Sequence, residues 1–209
     1  MYNTIVPGRK TVREPVISLL KCNLRNFSLL LFFASLFIAC EEPQTELYED
    51  FIIAEGKHAA SQRPELLQAT ELKFTAVFDH SAVYESRLKE NQHDVNKLLG
   101  FSDCNAHHHD DSARFGWRWL NDQLEILAYV YVNGTRIVEP VGTVPLNEPS
   151  TYNLKMTESS YVFTLNEEPA VVIDRENDCD KGLYYMLLPY FGGDERAPHD
   201  ILIRVQRIY

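Results

Sequence analysis

The chain has 209 residues, which is long enough for one domain with a sizeable hydrophobic core. Hydrophobic residues make up 45% and charged residues 24%, as in ordinary globular proteins, while aromatic residues reach 11%. Large flat side chains fit a pleated surface, so this composition favours β structure. The net charge of −10 provides no basic footprint for nucleic acid, which excludes nucleic acid as an expected partner.

A short apolar run follows a basic stretch near the N-terminus. Residues 27–39 read FSLLLFFASLFIA, and five of the six charged residues before Cys40 are basic. Thirteen residues are too few to cross a bilayer comfortably, and the layout is that of a secretory signal. A small residue before a cysteine, here Ala39-Cys40, resembles the bacterial lipobox. That resemblance implies a signal peptide over residues 1–39 and acyl chains such as palmitate on Cys40.

The lipobox also predicts where the protein works. Residues 40–49 are polar and acidic and would form a tether of at most about 35 Å before a domain at residues 50–209. Cleavage before Cys40 would leave 15 basic and 29 acidic residues, a net charge of −14. We therefore expect a lipid-anchored protein of the bacterial outer membrane, on its periplasmic face or at the cell surface. The alternative is an uncleaved anchor helix or a buried core segment.

Segments with period-two alternation follow along the rest of the chain. The predicted strands cover residues 72–79, 114–119, 124–132, 135–138, 142–146, 152–157, 161–165, 171–174, 183–191 and 201–208. Asn133-Gly134 predicts a tight hairpin turn. One helix is predicted at residues 91–99, because Val95, Leu98 and Leu99 would share a helical face. Many strands without interleaved long helices predict an all-β fold, an antiparallel β-sandwich with one short helix.

Three stretches together carry a family resemblance. They are NQHDVNKLLGFSDC at residues 91–104, HHHDDSARFGWRW at residues 107–119 and PYFGGDERAPHDI at residues 189–201. With LEILAYVYVNGTR between them, they resemble an uncharacterised family of Bacteroidota lipoproteins over most of residues 51–209. The resemblance implies a jelly-roll or concanavalin-like sandwich, a fold shared with lectins, glucanases and alginate lyases. It implies no established activity.

Two cysteines remain once the signal has left and Cys40 is acylated. Cys104 and Cys179 would face an oxidising compartment, where two thiols most simply pair. Such a disulfide closes a loop of about 75 residues and contributes about 4 kcal/mol in the chain-entropy model. The alternative is a metal site that uses Cys104 together with the three histidines that follow it.

Two polar segments, at residues 107–111 and 189–200, are candidate metal sites. Their ligand-type side chains are those of His107, His109, Asp111, Asp194 and Asp200. Adjacent residues of an extended chain point in alternate directions, so few of these groups can meet at one ion. Solvated loops with backbone-capping side chains are the favoured interpretation, and Ca²⁺ is the one cofactor that the sequence leaves open.

An aromatic and basic set predicts a ligand-binding face, with a glycan as the expected partner. The candidate side chains are those of Arg114, Arg118, Tyr129, Tyr131 and Tyr190. Sugars stack on exposed aromatic rings, while polar groups such as arginine bind their hydroxyls. Tyr129 and Tyr131 alternate with the most apolar positions of their strand, so we expect them on the open face of a sheet. Exposure of Tyr129, Tyr131 and Arg118 in one groove would favour a binding function, whereas burial of these side chains would remove the basis for it.

Known catalytic patterns are absent from the sequence. It contains no HExxH, GxSxG or CxxC, and RFGWRW at residues 114–119 lacks the central acid of the RxExR strand of alginate lyases. Glycosidase chemistry needs two facing carboxylates; Glu125 lies inside a clearly alternating strand, and the less clear strand at residues 171–174 adds only Asp174 at its end. The sequence favours a non-catalytic, lipid-anchored protein that binds carbohydrate or another surface ligand. The alternatives are a polysaccharide lyase or glycoside hydrolase on the same scaffold, and a structural envelope or adhesion component.

Overall fold

Short antiparallel strands make up most of the structure, which is a computed structural model. It describes residues 47–60, 65–67, 69–168, 171–176 and 184–208, all within one compact unit. The predicted signal peptide, Cys40 and most of the predicted tether lie outside these residues. None of the helices in the described ranges is long and apolar enough to span a membrane. These helices are short 3-10 turns at His80–Ala82, Lys89–His93 and Asp103–Asn105, so the all-β prediction is confirmed.

The first sheet contains six strands. They are β1 (Glu49–Ile53), β3 (Glu71–Phe78), β8 (Ser150–Met156), β9 (Ser160–Leu165), β10 (Val171–Asp174) and β12 (Ile201–Ile208). Their order is β1-β12-β3-β8-β9-β10, and neighbouring strands pair antiparallel. The strand that comes last in the sequence therefore lies inside the sheet, next to the strand that comes first.

The second sheet also contains six strands. They are β2 (Leu66–Leu67), β4 (Asn96–Ser102), β5 (Ser112–Leu120), β6 (Gln123–Val132), β7 (Thr135–Val144) and β11 (Tyr184–Leu187). Their order is β2-β11-β4-β5-β6-β7. The predicted turn at Asn133-Gly134 joins β6 to β7, and both residues take the positive φ that tight hairpins require. Asn121-Asp122 joins β5 to β6 in the same way.

The hydrophobic core lies between the two sheets. Phe115 and Trp117 of β5 are fully buried. Phe115 packs edge-on against Tyr152 and Phe163 of the first sheet, with ring centroids 5.1 Å apart in both pairs. Because side chains alternate along a strand, the residues between these core positions point to the outer face of the second sheet.

A buried ion pair ties the two sheets together. The guanidinium of Arg175 lies 2.6 Å from the Asp103 carboxylate, and both side chains are almost fully buried. The Tyr161 hydroxyl donates to the same carboxylate at 2.5 Å. Cys104, the next residue, is disulfide-bonded. Its predicted partner, Cys179, lies outside the described residues.

The predicted helix at residues 91–99 is wrong. A 3-10 turn at Lys89–His93 is followed by strand β4, which pairs with β5 and β11. A β-bulge between Lys97 and Gly100 breaks the alternation, so Leu98 and Leu99 are both fully buried. Together with Val95, these two adjacent leucines have the i, i+3, i+4 spacing of a helix face, which explains the error.

Candidate functional site

The outer face of the second sheet carries a group of basic and aromatic side chains. The β5–β6 register places Arg114 opposite Tyr129, and the β6–β7 register places Tyr131 opposite Arg136. Lys97 of β4 lies beside them, opposite Gly116 of β5. We call this group the Tyr129 cluster, and its members are Lys97, Arg114, Tyr129, Tyr131 and Arg136.

Tyr129 is the centre of the cluster. The Lys97 ammonium lies 4.7 Å from the centroid of its ring, and the Arg114 guanidinium carbon lies 5.4 Å from the same point. Both are cation–π distances. The Tyr131 ring packs on that of Tyr129 with the centroids 5.9 Å apart, and Arg136 lies close enough to act on the pKa of Tyr129. The five side chains therefore form one contiguous group.

Two glycines make room for the basic side chains. A Cβ at residue 100 would clash with Arg114, which lies opposite it in the sheet. A Cβ at residue 192 would clash with the Lys97 ammonium and with the backbone carbonyl of Val95. Glycine is therefore required at both positions if these two side chains are to lie close to the sheet.

The charges of the cluster repel one another. Burial, and then repulsion from Arg114, lowers the pKa of Lys97 to about 8, and Arg136 acts in the same direction. Asp94 opposes this shift, but its effect is weaker than that of Arg114. Neither Lys97 nor Arg136 forms an ion pair with any described residue. The cluster therefore concentrates positive charge on one face of an acidic protein.

Two histidines border the cluster as neutral rings. Burial, and then repulsion from His109 and Arg114, lowers the pKa of His108 to about 4. Burial also lowers the pKa of His109, whose ring centroid lies 5.1 Å from that of Tyr131. At neutral pH the His108 imidazole is therefore uncharged.

The structure brings most of the predicted ligand-binding residues to this face. Tyr190 lies at its edge, where its backbone pairs with that of Lys97 and its exposed ring stacks on His58 at 5.2 Å. Arg118 lies further along β5 and forms a 2.7 Å ion pair with Glu125. Arg118 therefore flanks the cluster rather than belonging to it.

Tyr129 is not the open stacking surface that the strand pattern predicts. It is only 5% exposed and Arg114 only 7%, because basic side chains lie over the tyrosine ring. A sugar cannot stack on a ring in this position. Stacking on Tyr129 therefore loses its basis, and charge becomes the main property of this face.

The sequence analysis did not predict Lys97 and Arg136 as members of the site. Lys97 falls in the segment predicted as a helix, so no face could be assigned to it. Arg136 could have been found, because a two-residue turn at Asn133-Gly134 fixes Tyr131 opposite Arg136. The signal was the hairpin register rather than the residue type.

The residues proposed as metal ligands do not converge. Among the residues that the structure describes, no group of three or more His, Cys, Asp or Glu side chains could hold a metal ion. The His107 and His109 rings pack edge to face at 5.2 Å, and the Asp111 carboxylate accepts from the Asn133 backbone N–H. Calcium binding at Asp194 and Asp200 stays a prediction. One oxygen of the Asp200 carboxylate accepts a hydrogen bond from the Glu55 N–H at 2.7 Å.

The loop at residues 192–200 forms hydrogen bonds with the segment at residues 81–91. The Glu195 carboxylate accepts hydrogen bonds from the backbone N–H groups of Arg87 and Leu88 and from the Asn91 amide, at 2.8–2.9 Å. These bonds lower the pKa of Glu195. A His199 ring nitrogen lies 2.8 Å from the Ser81 carbonyl. The polar residues of this loop therefore have structural roles in the fold.

Solved structures place the fold in the jelly-roll class of β-sandwich, as predicted. The alginate lyase AlyC3 matches with a TM-score of 0.54 at 9% identity, over 78% of this chain and 74% of the lyase. The catalytic domain of an endo-1,3-β-glucanase (laminarinase) from Thermotoga petrophila matches with a TM-score of 0.52 at 8% identity, over 78% and 77% of the two chains. At these identities the likeness establishes the concanavalin-like fold alone.

A complex of AlyC3 with dimannuronate matches in the same way, with a TM-score of 0.52 at 9% identity over 78% of this chain and 76% of that one. Neither a protein-family model nor a curated protein matches the sequence. These neighbours are polysaccharide lyases and glycoside hydrolases, and their activities belong to them.

Proposed function

We propose that this protein binds an acidic polysaccharide of the uronate class at the Tyr129 cluster. The observation that carries the proposal is the gathering of Lys97, Arg114 and Arg136 on one sheet face of a chain whose net charge is −10. Positive charges held close together repel one another, and a carboxylate bound among them offsets that repulsion. The cluster is therefore complementary to an anion.

A uronate suits this face better than a neutral sugar. Its carboxylate can form charge-assisted hydrogen bonds with arginine and lysine. The half-buried Tyr131 ring and the exposed Tyr190 ring lie at the margins, where they can contact the sugar while Tyr129 stays covered. The alginate lyase fold, with its dimannuronate complex, supports the same class of ligand.

A polysaccharide lyase is the second candidate, favoured by the neutral histidines beside the cluster. In a lyase the proton on the carbon next to the carboxylate would move to the His109 imidazole. The C–H electrons would form a C=C bond as the glycosidic C–O bond breaks, and the leaving oxygen would take the Tyr131 hydroxyl proton. Lys97 and Arg114 would stabilise the charge that develops on the carboxylate.

A glycoside hydrolase is less well supported. Glu125, the acid of β6 on this face, is engaged by Arg118 at 2.7 Å. Hydrolysis by the usual route needs a second carboxylate facing the first across the sugar. No such partner lies in β5 or β6, the two described strands that carry the centre of the face.

The proposed location follows from the sequence. Acylation of Cys40 would hold the domain within a tether's length of the bacterial outer membrane. A surface or periplasmic polysaccharide would then be the ligand within reach. Release of the protein from membranes after Cys40→Ala substitution would support this location, and unchanged membrane association would contradict it.

Binding is tested with the full-length protein in detergent and two probes, polymannuronate and a neutral mixed-linkage glucan. We expect retention on polymannuronate only, with affinity that falls as salt rises. The double substitution Lys97→Met with Arg136→Met should abolish retention, whereas Lys155→Met, on the other sheet, should not. Equal retention on both glycans would refute the proposal. New ultraviolet absorbance from an unsaturated uronate would establish the lyase.

A further inference from the structure

A groove of about 720 Å³ lies at the end of the sandwich, beside the turn between β5 and β6. Its lining includes Trp119 from β5 and Arg87, Lys89 and His93 from the segment before β4. Trp119 lies on the same side of β5 as Phe115 and Trp117 and packs against the core, but it is only partly buried. The carboxylates of Glu85 and Asp122 also line the groove. The volume falls in the range of small-molecule sites, and charged groups of both signs around one indole suit a sugar that carries hydroxyls as well as a carboxylate.

The groove adjoins the outer face of the second sheet. The Arg118 guanidinium donates to the His93 carbonyl at 3.0 Å, and it also pairs with Glu125 on the outer face. Arg118 lies four residues beyond Arg114 on β5, which corresponds to about 13 Å along the strand. A ligand longer than one sugar ring can therefore reach from the Tyr129 cluster to the groove.

The walls of the groove are held in place by hydrogen bonds. The Gln92 amide donates to the Trp119 carbonyl at 2.7 Å and to the Tyr84 carbonyl at 3.2 Å. Its oxygen accepts from the Ser86 N–H at 2.7 Å. From outside the groove, Glu195 holds the backbone N–H of Arg87. The groove is thus formed before any ligand arrives, which lowers the entropic cost of binding.

We propose that this groove holds a further sugar residue of the same acidic polysaccharide. The inference rests on the proposed function and extends its ligand to a chain of several sugars. The C–H face of the sugar would pack on the Trp119 ring. Arg87 and Lys89 would bind its carboxylate or hydroxyls. The polysaccharide would then run along β5, with Arg118 between its two contact regions.

Tryptophan fluorescence tests this assignment directly, because the sequence contains two tryptophans and Trp117 is fully buried in the core. A ligand-dependent change must then come mainly from Trp119. The full-length protein is titrated with mannuronate oligomers of increasing length. We expect the fluorescence to change with long oligomers and to stay constant with dimannuronate, which would occupy only the Tyr129 cluster.

Two variants separate the groove from the cluster. Trp119→Phe should abolish the fluorescence change and weaken long-oligomer binding up to about tenfold, with dimannuronate binding unaltered. The double substitution Arg87→Ala with Lys89→Ala should weaken long-oligomer binding in the same way, and both side chains are exposed, so folding is spared.

The outcomes are distinguishable. If uronates of all lengths bind both variants as they bind the unsubstituted protein, the groove assignment is overturned and the proposed function stands. If no uronate binds at any length, both fall.

Discussion

The ammonium group of Lys97 occupies the space that a side chain at residue 192 would need. Gly192 lies in the loop that follows β11, whereas Lys97 belongs to β4. The backbone N–H of Gly192 also donates to the side-chain oxygen of Asn96, the neighbour of Lys97, at 2.8 Å. The position of the Lys97 charge is therefore set by a loop that is distant in sequence.

Replacing Gly192 with alanine should displace Lys97 and weaken uronate binding. The new Cβ would also meet the Val95 carbonyl, which is backbone and cannot rotate away. We expect a loss of about 1–3 kcal/mol in unfolding free energy, measured by urea denaturation. Gly142→Ala is the matched control, because its Cβ would approach only the end of the Leu165 side chain, at 3.1 Å. Equal stability losses in both variants would contradict this account.

Lys97→Met should stabilise the fold while it weakens uronate binding. Burial lowers the pKa of Lys97 to about 8, so the folded protein binds this proton less tightly than the unfolded chain does. The charge therefore costs stability at pH 7, and that cost declines as pH rises from about 8 to the usual lysine value. We expect a gain of about 1–2 kcal/mol after allowing for solvent screening, seen as a higher Tm. A lower Tm at pH 7 would oppose it.

Uronate affinity should fall as pH rises through about 8. Lys97 loses its charge there, and with it one of the attractions for the carboxylate. Lys97→Arg keeps the charge, so its affinity should stay level to a higher pH. Isothermal titration at pH 7 and pH 9 with polymannuronate provides the comparison. Parallel declines in the two proteins would show that another group is responsible.

Asp103→Asn should destabilise the protein strongly, because it leaves Arg175 as a buried charge without its carboxylate partner. Losses of about 3–5 kcal/mol are typical when one member of a buried pair is removed. Glu125→Gln breaks the more exposed pair with Arg118 and should cost less than about 1 kcal/mol. Denaturant titration of both variants measures the contrast. Similar losses in the two would argue against a structural role for the buried pair.

Glu195→Gln should loosen the segment at residues 86–91 and make the protein less sensitive to acid. The carboxylate loses its charge-assisted hydrogen bonds with Arg87 and Leu88, at a cost of about 1 kcal/mol. The pKa of Glu195 is lowered in the folded protein, so its contribution is present above the ordinary glutamate pKa and disappears as pH falls through the folded value. Unfolding experiments at pH 7 and below pH 4 measure the difference between the variant and the unsubstituted protein.

The Asp194→Asn variant is the control for Glu195→Gln, since Asp194 is an exposed neighbour in the same loop. It should match the unsubstituted protein at both pH values. If Asp194→Asn and Glu195→Gln respond alike, general loop charge rather than the Glu195 bonds would explain the effect.

The meander of β5, β6 and β7 was predictable from the sequence. Alternation along Leu124–Val132 predicts which side chains share a face, and the two-residue turn at Asn133-Gly134 predicts the register between β6 and β7. The burial of Trp117 follows from the same alternation. Strand β4 was not predictable, because its bulge makes Leu98 and Leu99 adjacent core residues.

The candidate site was only half visible for a related reason. Arg114, Tyr129 and Tyr131 belong to strands with clear alternation, so their common face could be inferred. Lys97 joins them through pairing between β4 and β5, and its neighbour Gly192 comes from nearly a hundred residues away. Such non-local packing leaves no pattern within one short window of sequence.

The position of β12 has a consequence for how the protein folds. Ile203 is paired with Phe51 on one side and Phe78 on the other, so contacts across most of the sequence must form together. Sheets of such high contact order fold slowly, since distant segments must meet before any of them is stabilised. The first sheet cannot form completely until β12, near the end of the chain, is available to pair with β1 and β3. We therefore expect a long-lived unfolded precursor, a state in which a polypeptide can still be threaded through a narrow channel.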